Sequence, residues 1–360
     1  MKVLILGDIS PTERSAPLFQ KKDTAGLFHD VQHVFQGQDL VVANLECVLT
    51  DSDRPIRKIG PALKAPMETA EVLRSVGVTC CSMSNNHIFD FGIAGANDTL
   101  EALRRAGIDH TGYGDNESEA RKPYVFQKDG ERVCVIAVCE HEYSYALPDR
   151  AGACGFDEFE TPDAVRRAKA ACDRVIVLYH GGKELCRYPS PRLVRVCRAL
   201  ARAGADAVLC QHSHCIGAYE RYENCHILYG QGNFHFNKPH DFDGWHTAFA
   251  VTYDTADSTM SFIPVKEKDA GIALVEGEEK SRLLTAFGRR CRAMSDGSWK
   301  EGWHAFCLES RENYEKAVAD AFSPEKNGRG RERFGHYLDC EAHLDVWKEL
   351  FPTWNQTNEK

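Results

Sequence analysis

Five short stretches hold residue types that bind divalent metals and move protons. They are Gly7-Asp8, Asn44-Leu45-Glu46, Ser84-Asn85-Asn86-His87 followed by Asp90-Phe91-Gly92, His180-Gly-Gly-Lys-Glu184, and Gln211-His212-Ser213-His214. Singly each is weak, since an Asp or Asn after a strand is commonly a turn or a helix cap, and a lone His is commonly a satisfied polar residue. Together they would bring two carboxylates, an Asn and three His to one place, and carboxylates so gathered repel one another unless cations lie between them. The donors are oxygen and imidazole nitrogen with no thiolate needed, which suits manganese, iron or zinc. Six ligands exceed what one tetrahedral ion uses. The set therefore predicts two divalent ions bridged by Glu46, leaving positive charge for an anionic substrate and a hydroxide.

Asn44, Lys58, Lys183, Glu184, His141, Asn233 and His235 are the candidates for the substrate side of this site, with Lys64 a further cation able to hold a carboxylate or phosphate. Lys183 is the best placed of the lysines, three residues from His180. Glu184 can orient His180 or another ligand, because metal-bound imidazoles commonly donate their second N–H to a carboxylate. Asp90 either does the same for His87 or caps a helix before Gly92. His235 reads as a further ligand or as a pocket residue. His141 and Glu142 follow a strand at the same edge, while Cys210 and Cys215 read as packing residues.

The elements that must position these residues alternate. Short β-branched runs are predicted as strands at Lys2–Leu6, Leu40–Asn44, Thr79–Met83, Val133–Val138, Arg174–Tyr179, Ala207–Cys210 and His226–Tyr229, with a closing hairpin of Ala248–Tyr253 and Met260–Val265. Amphipathic segments between them, Met67–Ser75, Ala94–Ala106, Thr161–Ala171 and Pro191–Ala203, are predicted helices, and the second and fourth end at Gly107 and Gly204. This rhythm is that of an α/β domain. In open α/β sheets ligands bind beyond the carboxyl ends of strands, and five of these strands run into the residues above. After about Ala270 the pattern is helical only, at Glu278–Met294, Trp303–Phe322 and Cys340–Phe351. The division is thus a 1–269 domain and a 270–360 helical extension. The polar Asn327–Gly335 stretch reads as a solvated loop, its basic run Arg329–Arg333 sooner solvated than an anion site.

The 44 Lys plus Arg against 53 Asp plus Glu give a net charge of -9 without a basic block, which excludes non-specific nucleic-acid binding. Apolar runs such as Val175–Tyr179 are far shorter than the roughly 18 residues of a spanning helix, and the N-terminus lacks a signal-peptide pattern, so the protein reads as cytoplasmic. Fifteen Cys without a C-x-x-C pair fit buried thiols in a reducing compartment. A homo-oligomer fits the apolar stripes of the appended helices as well as packing on the first domain does.

The order Asp, Asn-x-Glu, Asn-His, His, His-x-His resembles the calcineurin-like metallophosphoesterases, and the motif wording is closer still to the CapA family of poly-γ-glutamate capsule synthesis proteins. The resemblance runs from about residue 2 to residue 265 and includes Gly60-Pro61, Gly204-Ala-Asp206 and Tyr229-Gly-Gln-Gly-Asn-Phe234 beside the stretches above. It implies a metallophosphatase-like four-layer α/β/β/α sandwich. By the same resemblance Asp8 and His214 would hold the first metal, Asn86, His180 and His212 the second, Glu46 would bridge, and His87 would protonate the leaving oxygen. Phosphoesterases usually carry a His two residues after the first Asp, and Asp at the bridge. Here Ser10 and Glu46 stand in those places, as in CapA-like chains, so the first site has fewer strong ligands. The reading is a metal-dependent hydrolase that uses metal-bound hydroxide on a phosphoester or a γ-glutamyl or envelope-related anion. A non-catalytic capsule-polymer-binding protein and a degenerate scaffold stand against it.

Overall fold

The computed structural model describes residues 1–140, 142–323 and 329–352, without the side chain of Glu142. The strands that position the site, in chain order, are β1 (Lys2–Ile9), β2 (Leu40–Leu45), β3 (Cys80–Ser82), β4 (Asp109–Thr111), β5 (Tyr124–Lys128), β6 (Glu131–Cys139) and β7 (Arg174–His180). They continue with β8 (Ala207–Gln211), β9 (Tyr219–Tyr222), β10 (Cys225–Leu228), β11 (Asn233–His235), β12 (Thr247–Asp254), β13 (Thr259–Lys268) and β14 (Gly271–Leu274). The principal helices are α1 (Thr69–Ser75), α2 (Gly92–Ala106), α3 (Glu160–Ala171), α4 (Pro191–Ala203), α5 (Gly277–Asp296), α6 (Trp299–Phe322), α7 (Arg329–Asp339) and α8 (Glu341–Leu350).

Two sheets form. The first has the order β14-β13-β12-β1-β2-β3-β4, with β11 also paired to β1; the second has the order β9-β10-β8-β7-β6-β5. Strands β1 to β4 run parallel, as do β6, β7, β8 and β10, while β1–β12–β13–β14, β5–β6 and β9–β10 pair antiparallel. The central strands are nearly continuous apolar runs because both their faces are covered. Val3, Ile5, Leu40 and Val42 of one sheet pack against Val135, Ile176, Leu178 and Leu209 of the other. The outer face of the first sheet, with Leu4, Leu6 and Val41, is covered by α1 and α2 through Val72, Leu73 and Leu103. The outer face of the second, with Val175, Val177 and Val208, is covered by α3 and α4 through Val165, Val194 and Leu200. The result is the four-layer α/β/β/α sandwich expected. Helices α2 and α4 end at Gly107 and Gly204, both in the left-handed region, as their sequence predicts.

Three expectations are corrected. Strand β1 runs through Asp8 to Ile9 instead of stopping at Leu6, because a register shift between Leu6 and Asp8 carries the pairing past Gly7. Gly7 is required there: a Cβ would lie 2.2 Å from the Gly232 carbonyl oxygen. Short edge strands β4, β5, β9 and β14, too weakly patterned to register, complete the sheets. The basic run placed in a solvated loop is helical from Arg329 onwards, in α7.

Helix α5 lies on the sandwich, with Phe287 edge-on to Phe249 at 4.9 Å and to Phe262 at 5.1 Å. Helices α6 and α8 build a small core of their own, in which Trp303, Cys307, Tyr314 and Val346 surround Cys186. No helix among the described residues is long and apolar enough to cross a membrane. The cysteines form no disulfide among the described residues.

Candidate metal centre

The carboxyl ends of β1, β2 and β3 in one sheet meet those of β7 and β8 in the other, so the site straddles the sandwich. Asp8, Glu46, Asn86, His180, His212 and His214 converge there, all buried. Two sets of three donor atoms lie mutually within 4.8 Å: Asp8, Glu46 and His214 form one, and Glu46, His180 and His212 the other. Glu46 belongs to both. Its Oε1 is 3.4 Å from His180 Nε2, 3.8 Å from His214 Nε2 and 3.9 Å from His212 Nδ1. Asn86 Oδ1 lies 2.9 Å from His180 Nε2, which places its amide at the second set. Glu184 joins His212 and His214 in a third set, beside those rings.

The electrostatics suit cations. Neither Glu46 oxygen has a hydrogen-bond partner among the described residues, although the side chain is fully buried. Burial and the neighbouring Asp8 push its carboxyl up to about 8. Burial acts the same way on Asp8, but the hydrogen bond from His214 and the charges of His180 and His214 hold it below the ordinary carboxylate range. Burial lowers His214, yet Glu46 and Asp8 overcome it and raise the ring to about 9. Both shifts favour the proton-bound forms, which a positive ion at the same place would replace. The backbone is strained at the same place: His212 and His214 take φ of 84° and 53°, left-handed values that cost a side-chain-bearing residue about 1–3 kcal/mol each.

Supporting groups fix the donors. Asn44 is buried and donates to Asp8 Oδ1 at 2.8 Å, with its amide nitrogen 3.1 Å from His180 Nδ1. Its contacts are thus with Asp8 and His180 of the cluster. Asn233 likewise contacts the cluster, its Oδ1 lying 2.9 Å from His214 Nδ1 while its amide donates to the Trp245 carbonyl at 3.1 Å. The expectation for His235 is corrected. Asn233 pairs with Asp8, but the register then shifts and His235 pairs with Ile9. Its ring turns into the apolar core, 5.0 Å from Phe19 and 5.9 Å from Phe28, and burial lowers it to about 4, so it stays neutral there.

Beside the cluster, His87 Nδ1 is 2.6 Å from Asp90 Oδ2, and Lys58 Nζ donates to the other Asp90 oxygen. The Leu63 amide donates to Asp90 at 2.7 Å and completes its hold. Asp90 thus orients His87. Burial and the Lys58 charge lower the His87 ring, while Asp90 opposes them. His87, Asn86, Lys58, Lys183, Glu184 and His212 all line a cavity of about 250 Å³. Lys64 lies elsewhere, in a groove with Ser10, Arg14 and Lys238. His141 lies outside the described residues.

The opposite wall of the cavity comes from the C-terminal helices: His336 and Tyr337 of α7, then Cys340, Ala342 and His343. The His336 ring stacks on Tyr143 with centroids 5.4 Å apart. A buried polar chain holds this wall in place. Asp345 of α8 accepts from Arg192 at 3.0 Å and from Ser190 at 2.5 Å, Arg192 also donates to Glu140 at 2.6 Å, and Glu140 accepts from the Gly182 amide at 2.7 Å. The loop that follows His180 and the helix that closes the cavity therefore share one network. The Arg192 charge and the Tyr179 and Gly182 donors hold Glu140 below its usual range against burial. Sequence reasoning passed over all these residues. His336 falls outside the predicted helices and His343 inside the last one, so no spacing in the sequence joins them.

Two relatives from Bacillus align with the chain. One is the "Capsule biosynthesis protein CapA" of Bacillus anthracis, 26% identical over 68% of this chain and 61% of that protein. The other is the "PGA biosynthesis protein CapA" of Bacillus subtilis, 27% identical over 67% of this chain and 63% of its own length. The chain thus matches about three-fifths of the length of each. Among solved structures, a 5'-nucleotidase precursor from Thermus thermophilus superposes with a TM-score of 0.43 and 12% identity over 80% of this chain and 59% of that one, an overlap too loose to bear on function. Residues 2–238 match the family model described as "Bacterial capsule synthesis protein PGA_cap", and the chain belongs to that family.

Proposed function

We propose that the chain is a metal-dependent hydrolase with two divalent ions, manganese, iron or zinc, acting on a phosphoester or a γ-glutamyl or envelope-related anion. The observation that carries this is Glu46: buried, without a hydrogen-bond partner on either oxygen among the described residues, and common to two three-donor sets. Asp8 and His214 would hold one ion, and Asn86, His180 and His212 the other. When bound, the ions polarise the substrate and acidify the attacking water. The protein's own residues do the rest. Lys58 and Lys183 draw the anion into the cavity. Asp90 holds His87 through Nδ1 and leaves Nε2 for the leaving oxygen. An anion in the cavity adds to the effect of Asp90 and favours the protonated ring, the form that donates.

The names of the Bacillus relatives favour a second reading, a capsule-polymer-handling protein whose metal cleft binds a polyanion without cleaving it. Metal analysis of chelator-free protein, followed by a screen of phosphoesters and γ-glutamyl compounds, separates the two. Two ions per chain with metal-dependent turnover is the expected result. Two ions with polyanion binding and no turnover supports the second reading, and no ions after reconstitution overturns both.

A further inference from the structure

A second chamber of about 310 Å³ adjoins the metal-site cavity, and Lys183, Glu184, Tyr337 and His343 line both. It is also lined by Lys316 of α6 and Arg333 of α7, neither of which lines the first cavity, and by the buried Tyr314. Three cationic side chains thus face this space against one carboxylate, Glu184, whose Oε2 lies 3.9 Å from Lys183 Nζ. We propose that this chamber is a distal anion subsite, which takes a carboxylate at the far end of an elongated substrate whose reacting group sits at the metal centre.

The proposal deepens the hydrolase reading and rests on it. Arg333 offers a planar fork that matches a carboxylate, and Lys316 adds a point charge beside it. Glu184 stands on the wall between the two chambers and repels negative charge there. The segment joining the two anionic groups must then be neutral, or carry a donor such as an amide N–H. A compact mono-anion would use only the first cavity. Apart from Lys183, Glu184 and Leu185, the lining comes from helices that follow the matched residues 2–238, so selection among substrates is assigned largely to a part of the chain separate from the chemistry. The basic run read as a solvated loop acquires a role through Arg333.

The test uses non-hydrolysable phosphonates on the full-length, metal-loaded protein. Phosphonoalkanoates from phosphonopropionate to phosphonooctanoate are compared by calorimetry with alkylphosphonates of equal length, which lack the carboxylate. At the length that spans the chambers, the carboxylate should tighten binding about tenfold or more. In the K316A/R333A double variant and in R333E that ratio should collapse towards one; both positions are exposed, so the fold is retained. Equal metal-dependent binding of the two series at every length overturns the subsite alone, and so does a ratio that survives both variants. Absence of metal-dependent binding by the alkylphosphonates overturns the metal-centre reading, and the subsite falls with it.

Discussion

The two walls of the cavity are held in different ways. On the sandwich side, Asp8, Glu46, His180 and His214 sit on or just beyond central strands, and their neighbours are fixed by Asn44, Asn233 and two left-handed histidine backbones. On the helical side, His336, Tyr337 and His343 depend on a small core around Trp303 and on one carboxylate, Asp345, gripping Arg192. The first wall tolerates strain because the sheets over-determine it. The second wall has fewer buried contacts and is the part that can change without disturbing the ligands. The strand-built cluster and the wall built on docked helices can therefore be altered separately.

Breaking the strand side should have the largest effect. Glu46→Ala is expected to remove at least one ion per chain and abolish metal-dependent turnover, read by elemental analysis and rate together. Retention of both ions would remove Glu46 from the bridge. His87→Ala comes next: turnover should fall about 10²- to 10⁴-fold while the ions stay, because His87 contacts Asp90 and Lys58 and none of the six donors' carboxylates. Loss of metal in that variant would mean the ring is a ligand.

The contrast sharpens on the helical side with Asp345→Ala. Arg192 keeps Glu140 but loses its second partner in a buried setting, a change that costs about 1–3 kcal/mol. The expected outcome is faster proteolysis in the C-terminal helices at unchanged metal content. If the ions are lost as well, the two walls are one cooperative unit and the comparison fails.

The same contrast explains what the sequence discloses. Asp8, Glu46, His180, His212 and His214 are legible because residue type coincides with position: each follows or ends a short β-branched run, and in α/β sheets that edge is where ligands bind. The four-layer arrangement follows from the same alternation of strands and helices. Arg192 and Asp345 give no such signal, since residues 153 positions apart meet only through the docking of α8 on the start of α4. Alternation predicts one face for Asn233 and His235, whereas a shift in the β1–β11 register lies between them and the His235 ring packs on Phe19 and Phe28. The helix at Arg329 is hidden by Gly330 and Gly335, and packing on α6 and α8 overrides that weakened local preference.

The smallest effect is a pH dependence confined to the strand side. In the metal-free protein Glu46 is raised to about 8 from 4.5 and His214 to about 9 from 6.5. Both folded-state values exceed the unfolded ones, so the folded chain binds more protons. The contribution of Glu46 is complete below about 4.5 and is lost as pH rises through about 8; that of His214 is complete below about 6.5 and is lost through about 9. Stability of the metal-free protein should therefore fall as pH rises, most steeply where the two windows overlap. Metal binding must displace those same protons, so affinity should rise about tenfold per pH unit for each proton released. Thermal melts of chelated and metal-loaded protein between about pH 5.5 and about pH 8.5 should separate progressively. Calorimetry in buffers of different ionisation enthalpy should count the protons released. A gap independent of pH would mean that Glu46 and His214 are already deprotonated in the metal-free cluster, and that cations are not needed to relieve it.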